Sequence, residues 1–377
     1  MDRYDSGLIF AVGILMALIT CLGETSFADT VGDKGMKDRK DPPENQAYEL
    51  RIIVWNFWSS QGGLLDGPAG QAESTDLIKG HDVDDAGNVY WTECDSPVIR
   101  CYRADKDRVI TLAGSIRGMN DGPLTRARFG GWTYNNCNLL CVSGDGKHLF
   151  VRDALGNGMW RYVDLEAGWV TTLAPWHHYK GGYFIIARDK SGEIYAFITS
   201  GEEPPDCKGY KKLKVTPSKT MNSAWFAFDR YALDVEKMKF YWHCRGPVMV
   251  TDLRTGEVSY LTSKDNKARP INTSGPLETT SLLCPTGMSL SPGGRYLFVG
   301  QGDGSSCFRL DLEKKYTTVF GALDGGGFGW RDTDAKNSCR MTGSTGWPAA
   351  VVYTPDGRGY WANCWGLYLL TPVERRK

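Results

Sequence analysis

The sequence predicts an all-β chain folded as a six-bladed β-propeller whose last blade is closed by an N-terminal strand. Three observations predict it. A short phrase recurs along the chain, its turn glycines are spaced as whole blades, and each end carries an incomplete set of strands. The phrase is an apolar alternation, a glycine-bearing turn and an aromatic strand, the pattern of a β-hairpin. It occurs at 82–91, 142–150, 187–195, 290–298 and 353–361, with turn glycines Gly87, Gly146, Gly192, Gly294 and Gly357. A degenerate copy without the glycine lies between Ala227 and Trp242. The glycine steps are 59, 46, 102 and 63 residues, the third spanning two blades. Repeats of roughly 40–50 residues built from four strands are the signature of propellers, so the longer steps here imply long loops between blades.

The ends predict how the ring closes. The last copy stops after Gly366–Leu370 and supplies three strands. The stretch Leu50–Trp55 matches the fourth strand Val109–Leu112, so the missing strand comes from the other terminus. Asp66-Gly67-Pro68 and Asp121-Gly122-Pro123 repeat 55 positions apart after the two matching strands. Closure of this kind removes the unpaired edges an open sheet exposes. A β-sandwich or two small β domains is the alternative.

Three regions divide the chain. Leu8–Leu22 is an apolar run of signal-peptide length, followed by the small-x-small site Ser26-Phe27-Ala28, which places a signal peptide at 1–28. Asp2 and Asp5 outweigh Arg3 in the leading segment, so an uncleaved anchor is the alternative. Residues 29–47 are charged and poor in large apolar groups, which predicts a disordered linker. Residues 48–377 form the propeller. The 377-residue chain has 44 basic and 44 acidic side chains, and removal of 1–28 leaves a net charge near +2 with no basic stripe. That balance argues against a nucleic-acid partner. A secreted, periplasmic or cell-surface monomer is expected, touching membrane only if its N-terminal segment is retained.

The stretches Val109–Gly114, Asp121–Phe129, Phe150–Asp153 and Val170–Ala174 resemble an NHL repeat. The resemblance is good in the first two blades and fades through the third and fourth. It implies a six-bladed scaffold that serves chiefly for binding, and it places the end of each blade's second strand at the mouth of the central channel. Those positions are Glu93, Asp153, Ile198, Gln301 and Asn363, with His243 or Cys244 in the fourth blade. Oxygen donors converging from Glu93, Asp153, Asn363 and Gln301 suit a hard divalent cation such as Ca2+ or Mg2+. The segment 285–301 is similar to a phrase of gluconolactonase-type propellers, but Thr286 and Gln301 stand where that resemblance expects Asn and Asp. A Gln cannot act as a general base. Asn138 and Asp153 keep the pair in the second blade, so the alternative to a binding scaffold is a metal-dependent hydrolase or lactonase with Asp153 as base and Glu93 as ligand.

The remaining chemistry is sparse. Cys94 and Cys101 flank a turn that, centred between Pro97 and Val98, sets them opposite each other within disulfide reach. His81 occupies a first-strand position and is expected between blades, and His177-His178 are expected on a solvated loop. Trp91, Trp242 and Trp361 recur at equivalent positions and predict blade core. Trp58, Trp132, Trp176, Trp330 and Trp347 fall between blades, where exposure would let them stack on a sugar or peptide ligand. The expected partner is therefore a protein or a carbohydrate.

Overall fold

The computed structural model describes residues 40–56, 64–74, 78–93, 96–130, 140–153, 158–175, 184–198, 203–213, 231–243, 246–264, 274–282, 285–301, 306–322, 328–331, 350–363 and 366–374. The expected signal peptide lies outside them. Among these residues the chain is β-strand and turn, with a single short 3-10 turn at Leu277–Thr279. No helix among them is long and apolar enough to cross a membrane.

The strands form five hydrogen-bonded sheets, the largest of which contains two successive blades. Blade one is the antiparallel meander Ile78–Val83, Val89–Glu93, Val98–Arg103 and Arg108–Gly114. Blade two repeats it with Leu140–Val142, His148–Asp153, Met159–Asp164 and Trp169–Pro175. Blade four comprises Tyr231–Asp234, Lys239–His243, Val248–Asp252 and Val258–Tyr260. Blade five comprises Pro285–Leu290, Tyr296–Gln301, Ser306–Asp311 and Tyr316–Ala322. Blade three departs from the pattern: Phe184–Arg188 and Ile194–Ile198 are antiparallel, but Lys211–Lys212 runs parallel to the second strand.

Closure follows the expected route. Blade six supplies Val352–Tyr353, Gly359–Asn363 and Gly366–Val373, and Ala47–Asn56 pairs antiparallel with the last of these. Leu50 faces Leu370, and a bulge lies between Ile52 and Val54. Phe328–Arg331 joins the two blades into one sheet, bonding to Tyr316–Ala322 on one side and to Ala47 and Tyr48 on the other.

Blades pack face to face, so their strands are apolar on both sides. All five residues of Val89–Glu93 are buried, as are all six of Tyr296–Gln301. Strands covered on both faces lose the one-sided alternation of a surface sheet. The cores accordingly lie between neighbours. Tyr90, Ile99 and Cys101 of blade one pack with Val142, Leu149 and Val163 of blade two. Phe298 and Phe320 of blade five pack with Tyr353 and Trp361 of blade six. Trp91, Trp242 and Trp361 are buried as expected. Trp330 is a correction: it is 2% exposed, packed in tilted ring contacts against Phe298 and Phe320, with its indole N–H on the Tyr353 hydroxyl at 3.4 Å. Its place on the strand joining blades five and six gives it partners on both sides. Trp58, Trp132, Trp176 and Trp347 lie outside the described residues, as do His177 and His178.

The inner hairpin turns use left-handed backbone where the recurring glycines predict it, from φ 70° at Gly146 to φ 88° at Gly192 and Gly357. The fourth copy lacks a glycine, and Met238 takes φ 52° in its turn. Each repeated Gly-Pro has a role too. Gly67–Pro68, Gly122–Pro123 and Gly275–Pro276 pair on the outer edge of the fourth strand of blades one, two and five. Proline, with no N–H to donate, suits that edge.

Of the linker expected over 29–47, residues 40–47 are described. Residues 40–46 are an arm fixed to blade five, where Asp41 accepts the Gly293 amide at 2.9 Å and Glu44 pairs with Lys314 at 2.6 Å. Its charged composition, which suggested a solvated chain, serves these contacts.

Two outcomes are expected. A chain beginning at residue 60 should melt well below one beginning at residue 40, because it loses the closing strand and exposes the edge of blade six; Tyr48→Ala, which removes a fully buried ring, should cost about 3–5 kcal/mol in urea unfolding. Equal melting temperatures would refute the closure. Burial pushes the Tyr241 hydroxyl and the Cys307 thiol up to about 12. Both groups hold their protons more tightly folded than unfolded, so stability is intact below the unfolded values near 9 and 10 and falls as pH rises from there toward 12. Denaturant midpoints between pH 8 and pH 12, on the order of these values, should decline accordingly.

Candidate functional site

The two acids expected at the channel mouth are interior groups with matching environments. Glu93 and Asp153 end the second strands of blades one and two, and both side chains are fully buried. Each faces an arginine from the third strand. Arg100 Nη1 lies 3.2 Å from Glu93, and Arg161 Nη1 lies 3.0 Å from Asp153. The other end of each guanidinium meets the aspartate of the repeated Asp-Gly-Pro, Arg100 to Asp66 and Arg161 to Asp121, both at 3.0 Å. Those aspartates in turn accept the backbone N–H of Thr111 and of Thr172, at 2.8 and 2.9 Å, and both threonine hydroxyls. Backbone carbonyls take further arginine protons: Glu73 and Leu65 in blade one, Arg128 and Asn120 in blade two. Asp153 also accepts the Gly130 amide, and Glu93 the Trp91 indole N–H.

The same module is missing as a unit from blade five. By strand register Gln301 takes the place of Asp153, Phe308 that of Arg161 and Val319 that of Thr172. Ser274 precedes Gly275-Pro276 where the other blades have Asp66 and Asp121. All four polar partners are exchanged together, as expected when removal of one member would strand a buried charge.

The other expected site residues have other surroundings. Gln301 is fully buried. Asn363 is half-buried, and its side-chain oxygen accepts the Gly366 amide at 3.1 Å, closing the hairpin. His243 ends the described strand Lys239–His243 of blade four and is buried, and Cys244 lies outside the described residues. The strand Ile194–Ile198 ends at Ile198. Glu93 and Asp153 each already hold a full positive charge at ion-pair distance, which is the compensation a cation would supply. Among the described residues no group of three or more His, Cys, Asp and Glu side chains could hold a metal ion. Asn138 lies outside the described residues.

The expected Cys94–Cys101 pairing fails on register. Thr92 faces Ile99 and Tyr90 faces Cys101, so the hairpin is centred two residues before the turn that would oppose the two cysteines. Cys101 is a free, buried thiol whose pKa burial pushes well up, and Cys94 lies outside the described residues.

The first strands of all six blades line an open cavity of about 120 Å³, far above the ~10–15 Å³ needed by one water. His81, Cys141, Arg188, Tyr231, Ser289 and Val352 contribute one group from each blade. Arg188 of blade three crosses to blade one, 2.6 Å from Asp82, and its other nitrogen donates to the carbonyls of Val83 and Val142. Asp82 also accepts the Val142 amide at 3.0 Å. Burial opposes the charge on Arg188, but Asp82 together with Cys141, Asp85 and Asp84 outweighs it and raises the guanidinium pKa. One ion pair thus ties three consecutive blades at the wall of the cavity.

The quartet makes a sharp expectation. Asp153→Asn or Arg161→Met alone should cost about 3–5 kcal/mol by leaving a buried partner uncompensated. Replacing the blade-two quartet by its blade-five counterpart (Asp121→Ser, Asp153→Gln, Arg161→Phe, Thr172→Val) should cost less than the sum of the four single changes. Urea midpoints for the singles and the quadruple variant decide it.

No protein-family model and no curated protein matches the chain. Its fold is that of solved structures with low identity. A protein of unknown function from Bacteroides thetaiotaomicron matches with 16% identity and a TM-score of 0.56, over 87% of this chain and 76% of that one. An auxiliary nutrient binding protein from Bacteroides ovatus matches with 14% identity and a TM-score of 0.54, over 87% and 78%. A second auxiliary nutrient binding protein, from Bacteroides thetaiotaomicron, matches with 11% identity and a TM-score of 0.50, over 87% and 77%. The fold class that these structures share with this chain is the β-propeller.

Proposed function

We propose that this chain is an exported, NHL-like binding scaffold that takes up a polar ligand at its axial cavity and rim, and that its strand-end acids do no chemistry. The observation that carries this reading is the pairing of Glu93 and Asp153 with buried arginines. A general base must reach a substrate proton, and a metal ligand must offer its lone pairs to the ion. An acid fully enclosed and held by a guanidinium does neither. The cavity, by contrast, combines charged, hydroxyl and apolar groups from every blade, the mixed lining typical of small-ligand sites. The auxiliary nutrient binding role stated for two proteins of this fold supports the same reading, and a carbohydrate is the ligand class we favour.

Elemental analysis after purification without chelators, together with lactone hydrolysis assays, tests the proposal against the hydrolase alternative. The expected result is no stoichiometric Ca2+ or Mg2+ and no thermal shift with either ion at millimolar concentration. Calorimetric titration with mono- and oligosaccharides should then give a saturable heat that Ser289→Leu, which narrows the cavity, reduces. Stoichiometric metal with hydrolysis that Asp153→Asn abolishes would overturn it.

A further inference from the structure

Three inner hairpin turns share one device, and the third borrows a part of it. In blade two, Ser143 accepts the His148 amide at 3.0 Å and donates to Asp145, two residues on, at 2.5 Å. In blade six, Thr354 accepts the Arg358 amide at 3.1 Å and donates to Asp356 in the same way. In blade five, Ser291 accepts the Tyr296 amide at 2.9 Å, but the residue two further on is Gly293. The carboxylate arrives from the N-terminal arm. Asp41 accepts the Ser291 hydroxyl at 2.5 Å and the Gly293 amide at 2.9 Å. A Cβ built on Gly293 would meet the Oδ2, Cγ and Oδ1 of Asp41 before any other atom.

We propose that Gly293 is a socket for Asp41: the missing side chain of the blade-five turn is supplied by the arm, and this latch holds the arm across blade five. The contacts beyond it follow one line. Glu44 pairs with Lys314 at 2.6 Å and its carbonyl accepts Arg309 at 3.0 Å, both from the outer half of blade five. Gln46 then donates to the Val373 carbonyl at 3.1 Å in blade six, where the closing strand begins. The arm therefore spans the seam between blades five and six, and the latch at its upstream end fixes its path. Gly293 does not use left-handed backbone, so a side chain is barred there by the carboxylate of Asp41 and by no conformational strain.

Hydrogen exchange on the full chain separates this from a passive contact. Gly293→Asp should restore the carboxylate within the turn and expel Asp41. Amides of residues 44–46 should then exchange roughly tenfold faster or more, the scale of a lost charge-assisted hydrogen bond, while the Tyr296 amide stays protected. Asp41→Ala should release the arm equally, and adding Asp41→Ala to Gly293→Asp should change nothing further. Gly293→Ala, the variant to use if the aspartate does not fold, should release the arm and also deprotect the turn, because a methyl group evicts Asp41 without replacing it. Unchanged exchange at 44–46 in Gly293→Asp or Gly293→Ala, or additive effects of Asp41→Ala and Gly293→Asp, would overturn the proposal.

Discussion

Face-to-face packing of the blades is the constraint from which the other features follow. Each inner strand is covered on both sides, so any polar side chain it carries has to find its partner inside the protein. Apolar residues such as Ile99, Leu149 and Val163 meet this condition without further provision. Acids do not, and Glu93 and Asp153 each draw an arginine, an aspartate and a threonine into a shared cluster. The clusters reach from the strand end to the outer edge, because the second aspartate belongs to the segment that covers the fourth strand. An ionic group near the axis thereby dictates the chain's course at the periphery.

This explains which parts of the molecule were legible in the sequence. Turn glycines and aromatic strands are local signals, and they located the hairpins and the closing strand at Leu50–Trp55. The recurring Asp66-Gly67-Pro68 and Asp121-Gly122-Pro123 were visible as well, but their purpose was not. The missing signal was Arg100 and Arg161, 61 positions apart and seven and eight residues after their acids. A carboxylate at a strand end reads as a ligand until its cation is found, and here that cation is a side chain on the adjacent strand. The cysteine pairing failed for a related reason: hairpin register is set by which residues are buried on each face, and symmetry about a proline does not determine it. The arm at 40–46 was illegible because its partners lie some 250 residues away.

In the binding role we propose, the axial cavity is part of the scaffold itself. Its wall is held by Asp82 and Arg188, a pair that links blades one, two and three through side chain and backbone together. Polar groups placed on first strands inherit the rigidity of six packed blades, so the ligand we propose for this cavity would meet a preformed surface, with little ordering cost on binding.

The closing strand has a consequence for how the molecule is made. Gln46 and Val373 bond across 327 residues, so one of the first ordered segments waits for one of the last before the ring is complete. Pairing at such separation is slow, since the intervening chain must be organised before the contact forms. Until then Ala47–Asn56 and Gly366–Val373 are two unsatisfied edges of one blade, each a template for the wrong neighbour. A chain emerging from a ribosome or a translocation pore is thus sheltered from aggregation only after its final strand has arrived.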